Sequence, residues 1–323
     1  MDYKLFFFLI VLIKFLLVSS SVNAYNLPPN RPVSPDTICK FTPYPSSCKS
    51  LLPNKTANIY DSARFSVLKS LSQTFLFQSL LSKFLRLRAA LPKTTVAALQ
   101  DCQFLAGLNV DYLSSSFGTM NATSGALPTW KAEDVQTLLS AILTNQQTCY
   151  DGLQSASSSW IVKKGLFVPL TNDTKLFSVS LALFTKGWVP KKELATRAQS
   201  QRRVLLQTGD DQSKVVVRET VTVSQDGSGN FTTINDAVEA APNNTAASDG
   251  YFVIYVKAGV YEEYVSIVKK KKYLMMIGDG INQTVITGNR SVVDGWTTFK
   301  SATFGENQNF HLKILEILLI SFR

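Results

Sequence analysis

The apolar residues of this chain keep a helical period in its first half and lose it in the second, and that change limits what each half can fold into. Leu99, Cys102, Ala106, Val110 and Leu113 recur at steps of 3, 4, 4 and 3, and Val135, Leu138, Leu139 and Ile142 repeat the pattern. Such spacing collects one stripe of side chains on one face of a helix, so it marks two amphipathic helices. Leu68, Leu71 and Phe75, then Leu81, Phe84 and Leu85, predict a long helix that ends near Leu91-Pro92, where the proline stops it. Asn172 to Leu183 supplies a fourth segment. Helical stretches joined by linkers rich in Ser, Gly and Pro predict an all-α four-helix bundle.

Beyond residue 215 the apolar runs are short and rich in β-branched or aromatic residues: Val221 and Val223, Phe252 to Val256, Leu274 to Ile277, and Val285 to Thr287. Asp-Gly, Gly-Asp-Gly and Gly-Asn turns separate most of them, and Asn235 to Ala241 reads as a short helix. A length of 323 residues leaves room for both parts, at the usual ~150 residues per domain. With 45% hydrophobic and 17% charged residues the chain reads as globular.

The amino terminus runs Met-Asp-Tyr-Lys, then an apolar stretch from Leu5 to Val18 broken only by Lys14, then Val22-Asn23-Ala24. This predicts a secretory signal peptide over residues 1–24, the apolar stretch being shorter than the ~20 residues of a membrane span; an uncleaved anchor is the alternative. Secretion implies oxidising surroundings. The four cysteines, Cys39, Cys48, Cys102 and Cys149, all lie in the first half, and their number alone permits three pairings. Asn54, Asn121, Asn172, Asn230, Asn243, Asn282 and Asn289 each open an Asn-x-Ser/Thr acceptor and are candidate glycosylation sites.

The formal charge is +10, and its placement is uneven. From Tyr25 to Leu206 there are 20 Lys and Arg against 9 Asp and Glu, and from Gln207 to Arg323 there are 11 against 13. A secreted basic module would concentrate near acidic polymers, by an attraction that salt weakens. No nucleic-acid-binding fingerprint is present, and no nucleic-acid partner is expected.

The wording of the second part is more specific than its pattern. Val221 to Val238 (VTVSQDGSGNFTTINDAV), Tyr251 to Tyr261 (YFVIYVKAGVY), Ile277 to Gly280 (IGDG) and Ile286 to Phe304 (ITGNRSVVDGWTTFKSATF) occur in this order. Together they closely resemble the amino-terminal end of the catalytic domain of plant pectin methylesterases (pectinesterases). In the first part, Ile38 to Cys48 (ICKFTPYPSSC), Leu99 to Cys102 (LQDC) and Leu139 to Gly152 (LSAILTNQQTCYDG) resemble the invertase and pectin methylesterase inhibitor family.

These resemblances carry several expectations. They imply Cys39 paired with Cys48, closing an amino-terminal helical hairpin, and Cys102 paired with Cys149, tying two bundle helices. They imply an incomplete right-handed parallel β-helix after the bundle, whose coils gain stability by stacking on one another. Arg202-Arg203-Val204-Leu205-Leu206 resembles the processing motif of two-module members, read by a subtilisin-type protease, although a generic linker would look similar. The expected division is a signal peptide at 1–24, an inhibitor-like domain at 25–190, a linker at 191–214, the start of the esterase domain at 215–304 and an unrelated apolar tail at 305–323.

Family members hydrolyse methyl esters of cell-wall pectin (homogalacturonan) with two aspartates, one attacking and one passing protons, while glutamines hold the oxyanion. Those residues sit in strings reading Gln-Asp-Thr-Leu, Asp-Phe-Ile-Phe-Gly and Gly-Arg-Pro-Trp, and none of the three occurs among these residues. Thr298, in Asp294 to Phe299, is the one family-type substrate contact that maps here. No catalytic residue is therefore assigned. The change of text after Phe304 is expected to reflect a frameshift, a retained intron or a misplaced exon boundary that truncates the esterase domain.

Three readings stay open: a pectinesterase of the plant cell wall, an inhibitor-type binding module acting on an active pectin methylesterase, and a non-functional product. Other chemistries lack their residues. The single histidine, His311, lies in the tail, no Gly-x-Ser-x-Gly elbow exists and no Cys-x-x-Cys is present, so no cofactor or metal is expected. Gln225-Asp226 reads as the start of an Asp-Gly turn, and the Lys269 to Lys272 run as a solvated edge.

Overall fold

The computed structural model describes residues 29–156, 160–189, 216–268, 270–307 and 320–322. Two short helices, α1 (Pro35–Ile38) and α2 (Pro45–Leu51), form the amino-terminal hairpin. Four long helices follow: α3 (Ile59–Arg86), α4 (Lys93–Asn121), α5 (Thr129–Ala156) and α6 (Trp160–Trp188). At ~1.5 Å of rise per residue each spans about 42 Å. Each packs on the next and α6 closes back on α3, giving a four-helix bundle around one continuous apolar core. Short linkers between such long rods leave consecutive helices antiparallel.

Asn58 starts α3 by accepting the Asp61 amide on its side chain at 2.8 Å. Pro92 is the residue before α4 and not the end of α3, which stops at Arg86 and passes through a short 3₁₀ turn, Arg88–Ala90. The fourth helix begins well before Asn172, at Trp160, and runs through Pro169. A proline inside a helix forfeits one backbone bond and crowds the carbonyl four residues earlier, here that of Gly165. Gly165 serves a second purpose, since a Cβ there would fall 2.5 Å from Cζ of Phe84 on α3. The two helices approach closely because it has none.

The bundle core also buries polar side chains, among them Ser66, Ser70, Asn109, Ser116, Asp173 and Ser180. Ser70 of α3 and Ser180 of α6, both fully buried, satisfy one another at 2.9 Å. Asp173 of α6 is 1% exposed, and one of its carboxylate oxygens lacks a partner. Burial pushes its pKa from the ordinary 3.8 up to about 7, opposed only in part by a hydrogen bond from Gln73.

Among the described residues after 215 the chain forms three separate sheets, all parallel. Strand β1 (Val217–Val223) pairs with β2 (Tyr251–Val256), and β2 with β5 (Leu274–Gly278). Strand β3 (Gly259–Glu262) pairs with β6 (Thr284–Thr287), and β6 with β8 (Ile320–Phe322). Strand β4 (Val265–Val268) pairs with β7 (Phe304–Asn307). The chain thus visits three faces in turn through β2, β3 and β4, then lays β5, β6 and β7 on them in the same order. Inward residues such as Ile254, Tyr261, Val265, Ile267 and Ile286 fill a second core.

A short helix, α7 (Ile234–Ala240), contributes Ile234, Ala237 and Val238 to that core, and side chains from the strand region secure both of its ends. At its start the Glu263 carboxylate accepts the amides of Ile234 at 2.8 Å and Asn235 at 2.9 Å. At its end the Lys271 ammonium donates to the carbonyls of Glu239 at 2.5 Å and Ala241 at 2.6 Å. Lys271 is only 2% exposed, which corrects the expectation that the whole lysine run is a solvated edge. Burial lowers its pKa, and the helix-end carbonyls give the charge its compensation.

Because the folded Asp173 value lies above the unfolded one, its stabilising proton is fully held below about pH 4 and lost as pH rises through about 7. Asp173→Asn should leave the melting temperature nearly unchanged at about pH 4 and raise it at about pH 8, removing a slope on the order of 1 kcal/mol per pH unit. Calorimetry over that range checks it, and parallel curves for both proteins would refute it. Lys271→Met keeps the apolar stem and deletes the ammonium, so a urea melt should show about 1.5–3 kcal/mol lost from the strand region.

Candidate functional site

The segment around Thr298 is built as a pair of tight turns. Ser291 donates its hydroxyl to Asp294 at 2.6 Å, and the Trp296 amide returns to the Ser291 carbonyl at 3.2 Å. Gly295 turns the chain between them at φ +90°, where a side chain would be strained. The Ser301 amide then bonds the Thr297 carbonyl at 2.9 Å, and the Ser301 hydroxyl bonds the Thr298 carbonyl at 3.0 Å.

This segment is seated on the helical bundle. Thr297 is 7% exposed and donates its hydroxyl to the Asp101 carboxylate of α4, while Lys300 brings its ammonium within 3.8 Å of the same carboxylate. Phe299 packs against the bundle core and tilts against Phe104, with ring centroids 5.6 Å apart. Thr298, half-buried between them, points its hydroxyl at the bare backbone of Gly152 on α5, only 4.0 Å from where a Cβ would stand. The Cys102–Cys149 disulfide clamps α4 to α5 at this level, with Cα atoms 4.8 Å apart, next to Asp101 and one turn from Gly152.

Burial raises the pKa of Asp101, against which the Thr297 hydroxyl and the Lys300 charge both act. A second point of approach involves the strand region's Tyr251 and Tyr273, whose rings meet edge to face at 5.7 Å. Burial raises both phenols, and the negative Asp134 of α5 adds to the shift in each.

The aspartates of the strand region are committed elsewhere. Asp226 accepts the Ser224 hydroxyl at 2.6 Å and the Ser228 amide at 2.8 Å, which holds it far below the carboxylate range. Asp279 takes the Tyr255 hydroxyl and, at 2.6 Å, the Ala258 amide. Asp236 caps α7 with Thr233, Asp249 accepts the Ala246 amide at 3.0 Å, and Asp294 is held by Ser291. Asp226, Asp236, Asp249 and Asp294 close a turn or a helix end, and Asp279 ties its corner to Tyr255 of β2 and to Ala258 just beyond that strand. Among the described residues no cluster of three or more His, Cys, Asp and Glu could hold a metal.

The remaining candidates fall as follows. Cys39 and Cys48 are bonded, joining the turn after α1 to α2, and Cys102 and Cys149 are bonded across the bundle. Asn54, Asn121, Asn172, Asn230, Asn243, Asn282 and Asn289 are all exposed. The signal peptide, the Arg202 to Leu206 motif, His311 and the 191–214 linker lie outside the described residues. Asp101, Thr297 and Lys300 were not among the candidates, since a partner 196 positions away leaves no trace in one sequence. The text Leu-Gln-Asp-Cys pointed at Cys102 alone.

Comparison with known proteins assigns residues 34–183 to the family described as plant invertase/pectin methylesterase inhibitor, and residues 220–317 to pectinesterase. The chain is 47% identical over 348 aligned positions to probable pectinesterase/pectinesterase inhibitor 7 of Arabidopsis thaliana, covering 92% of this chain and 59% of that protein. It is 50% identical over 313 positions to probable pectinesterase/pectinesterase inhibitor 41 of the same plant, covering 84% of this chain and 55% of the relative. The chain therefore spans little more than half the length of these relatives. A solved pectin methylesterase from carrot is 44% identical over 30% of each chain, with a TM-score of 0.26.

The seat of the Thr298 segment should be measurable. Asp101→Ala and Thr297→Val should each destabilise the junction by about 1–3 kcal/mol, and a double-mutant cycle should return a coupling of at least ~1 kcal/mol. Chemical denaturation checks it, and additive effects would show that the contact is absent in solution.

Proposed function

We propose that this chain, which belongs to the plant pectinesterases that carry an amino-terminal inhibitor domain, works over these residues as a secreted binding protein of the cell wall and not as a hydrolase. In this reading the helical domain is the active part: it covers the substrate groove of a pectin methylesterase. The strand region is read as the first coils of a right-handed parallel β-helix and brings the bundle to pectin. Hydrolysis of pectin methyl esters is assigned to the family's catalytic strings, which do not occur within these residues.

The observation that carries this reading is the seat of Thr298. The loop bearing the family-type substrate contact lies against α4 and α5, with Thr297 on Asp101 and Phe299 packed against the bundle core. A helical surface that takes such a loop is the kind that would cover an esterase groove. The commitment of the five strand-region aspartates to turns, a cap and a corner supports the absence of ester chemistry here. The two disulfides and the exposed acceptor asparagines support passage through an oxidising, glycosylating compartment, after removal of residues 1–24. Cleavage after the Arg202 to Leu206 motif by a subtilisin-type protease would release the bundle from the strand region.

The test is to purify residues 25–323 and follow methanol release from esterified pectin, alone and with an active plant esterase. The expected outcome is no release alone and suppression of the partner's rate. Methanol from the chain alone would overturn the first half of the proposal, and an undiminished partner rate would overturn the second.

A further inference from the structure

The guanidinium of Arg290 is held between two aromatic rings, 3.7 Å from the centroid of Tyr264 and 4.0 Å from that of Trp296. The site is built from several directions. The Tyr264 hydroxyl accepts the amides of Asn289 at 2.6 Å and Arg290 at 2.7 Å and is 3.2 Å from the Asn289 side-chain oxygen, to which it donates. A Cβ at residue 288 would fall 2.5 Å from the Tyr264 ring, so Gly288 is needed for that ring to close on Arg290. On the other side Trp296 is fixed by the Ser291 turn.

Among the described residues no carboxylate pairs with Arg290. Asp294, the nearest acid in sequence, is tied to Ser291. A planar cation stacked between rings presents only its N–H edge, and that edge matches the two oxygens of a carboxylate. Beside it Trp296, Val292 and Val293 are 39%, 40% and 96% exposed, an apolar rim suited to the C–H face of a sugar ring.

We propose that Arg290, framed by Tyr264 and Trp296, binds the free carboxylate of a uronic acid residue in an acidic polysaccharide. The site selects de-esterified over methyl-esterified stretches, because an ester offers neither the charge nor the second equivalent oxygen. The identity of the polymer rests on the reading that the strand region meets pectin. The carboxylate chemistry does not.

The experiment titrates the chain with short oligogalacturonates, as the free acid and as the methyl ester, by calorimetry. The protein is first enzymatically deglycosylated, because Asn289 opens an acceptor site next to Arg290. Arg290→Ala should weaken the free acid about tenfold or more, as loss of a charge-assisted pair does, and leave the weak binding of the ester unchanged. Arg290→Lys, which keeps the charge without the fork, should recover only part of the loss. The proposal fails if Arg290→Ala leaves acid affinity within about twofold, which is below the loss of one charge-assisted bond. It fails equally if both ligands lose alike, or if polyglutamate binds as tightly as the free acid. Inhibition of an esterase without oligogalacturonate binding would remove this site and leave the inhibitory reading standing. Binding without inhibition would do the reverse.

Discussion

The bond between Cys102 and Cys149 is the constraint on which the arrangement turns. It closes a loop of 47 residues and so removes about 4 kcal/mol of freedom from the unfolded chain. Its structural effect is more local. Bridged backbones held 4.8 Å apart cannot slide, so the positions flanking the bridge keep a fixed level on two different helices. Asp101 and Gly152 are those positions. One offers a buried acceptor and the other an absence of side chain, and a loop with a donor at Thr297 and bulk at Phe299 fits them only while the two helices stay in register.

The strand region obeys a different rule. Its ladders are parallel and short, with three to seven residues per strand, so no single strand is stable alone and each is held by the one laid on it. That leaves polar backbone at every corner, and the side chains there answer it. Asp226 and Asp294 close turns, Asp279 joins the corner at Ala258, Glu263 and Lys271 close the two ends of α7, and Thr284, fully buried, accepts the Asp279 amide and donates to the Val256 carbonyl. Charged residues in this region are mostly joints of the winding.

How much of this was legible depended on whether the signal was periodic. The stripes through Leu99 to Leu113 and Val135 to Ile142 lie on α4 and α5, since burial along a helix leaves a repeat. The first half of α6 was missed because Gly165 and Pro169 look like breaks, although one permits a close approach to Phe84 and the other forfeits a single bond. Strands β3 and β4 were missed because four residues, of which only Tyr261 or Val265 and Ile267 face inward, give too short an alternation. Lys271 is one of four identical letters, and only its position beneath α7 separates it from its neighbours. Thr298 was legible by wording, but its seat was not, because contact between distant polar residues has no period.

The same reasoning bears on the charge. The positive excess lies on the bundle side of the sequence, which would suggest that the bundle holds the strand region by its lysines. The junction has the opposite polarity: the bundle supplies Asp101 and the strand region supplies Lys300. Asp134, facing Tyr251 and Tyr273, is again an acid on the bundle side. Two of the bundle's acids, Asp101 and Asp134, thus act on its own strand region, while Asp36 and Asp61 pair with Lys49 and Arg64 of the bundle itself. Attachment at the junction is therefore local and polar, with Thr297 buried on Asp101, and does not draw on the bundle's positive excess.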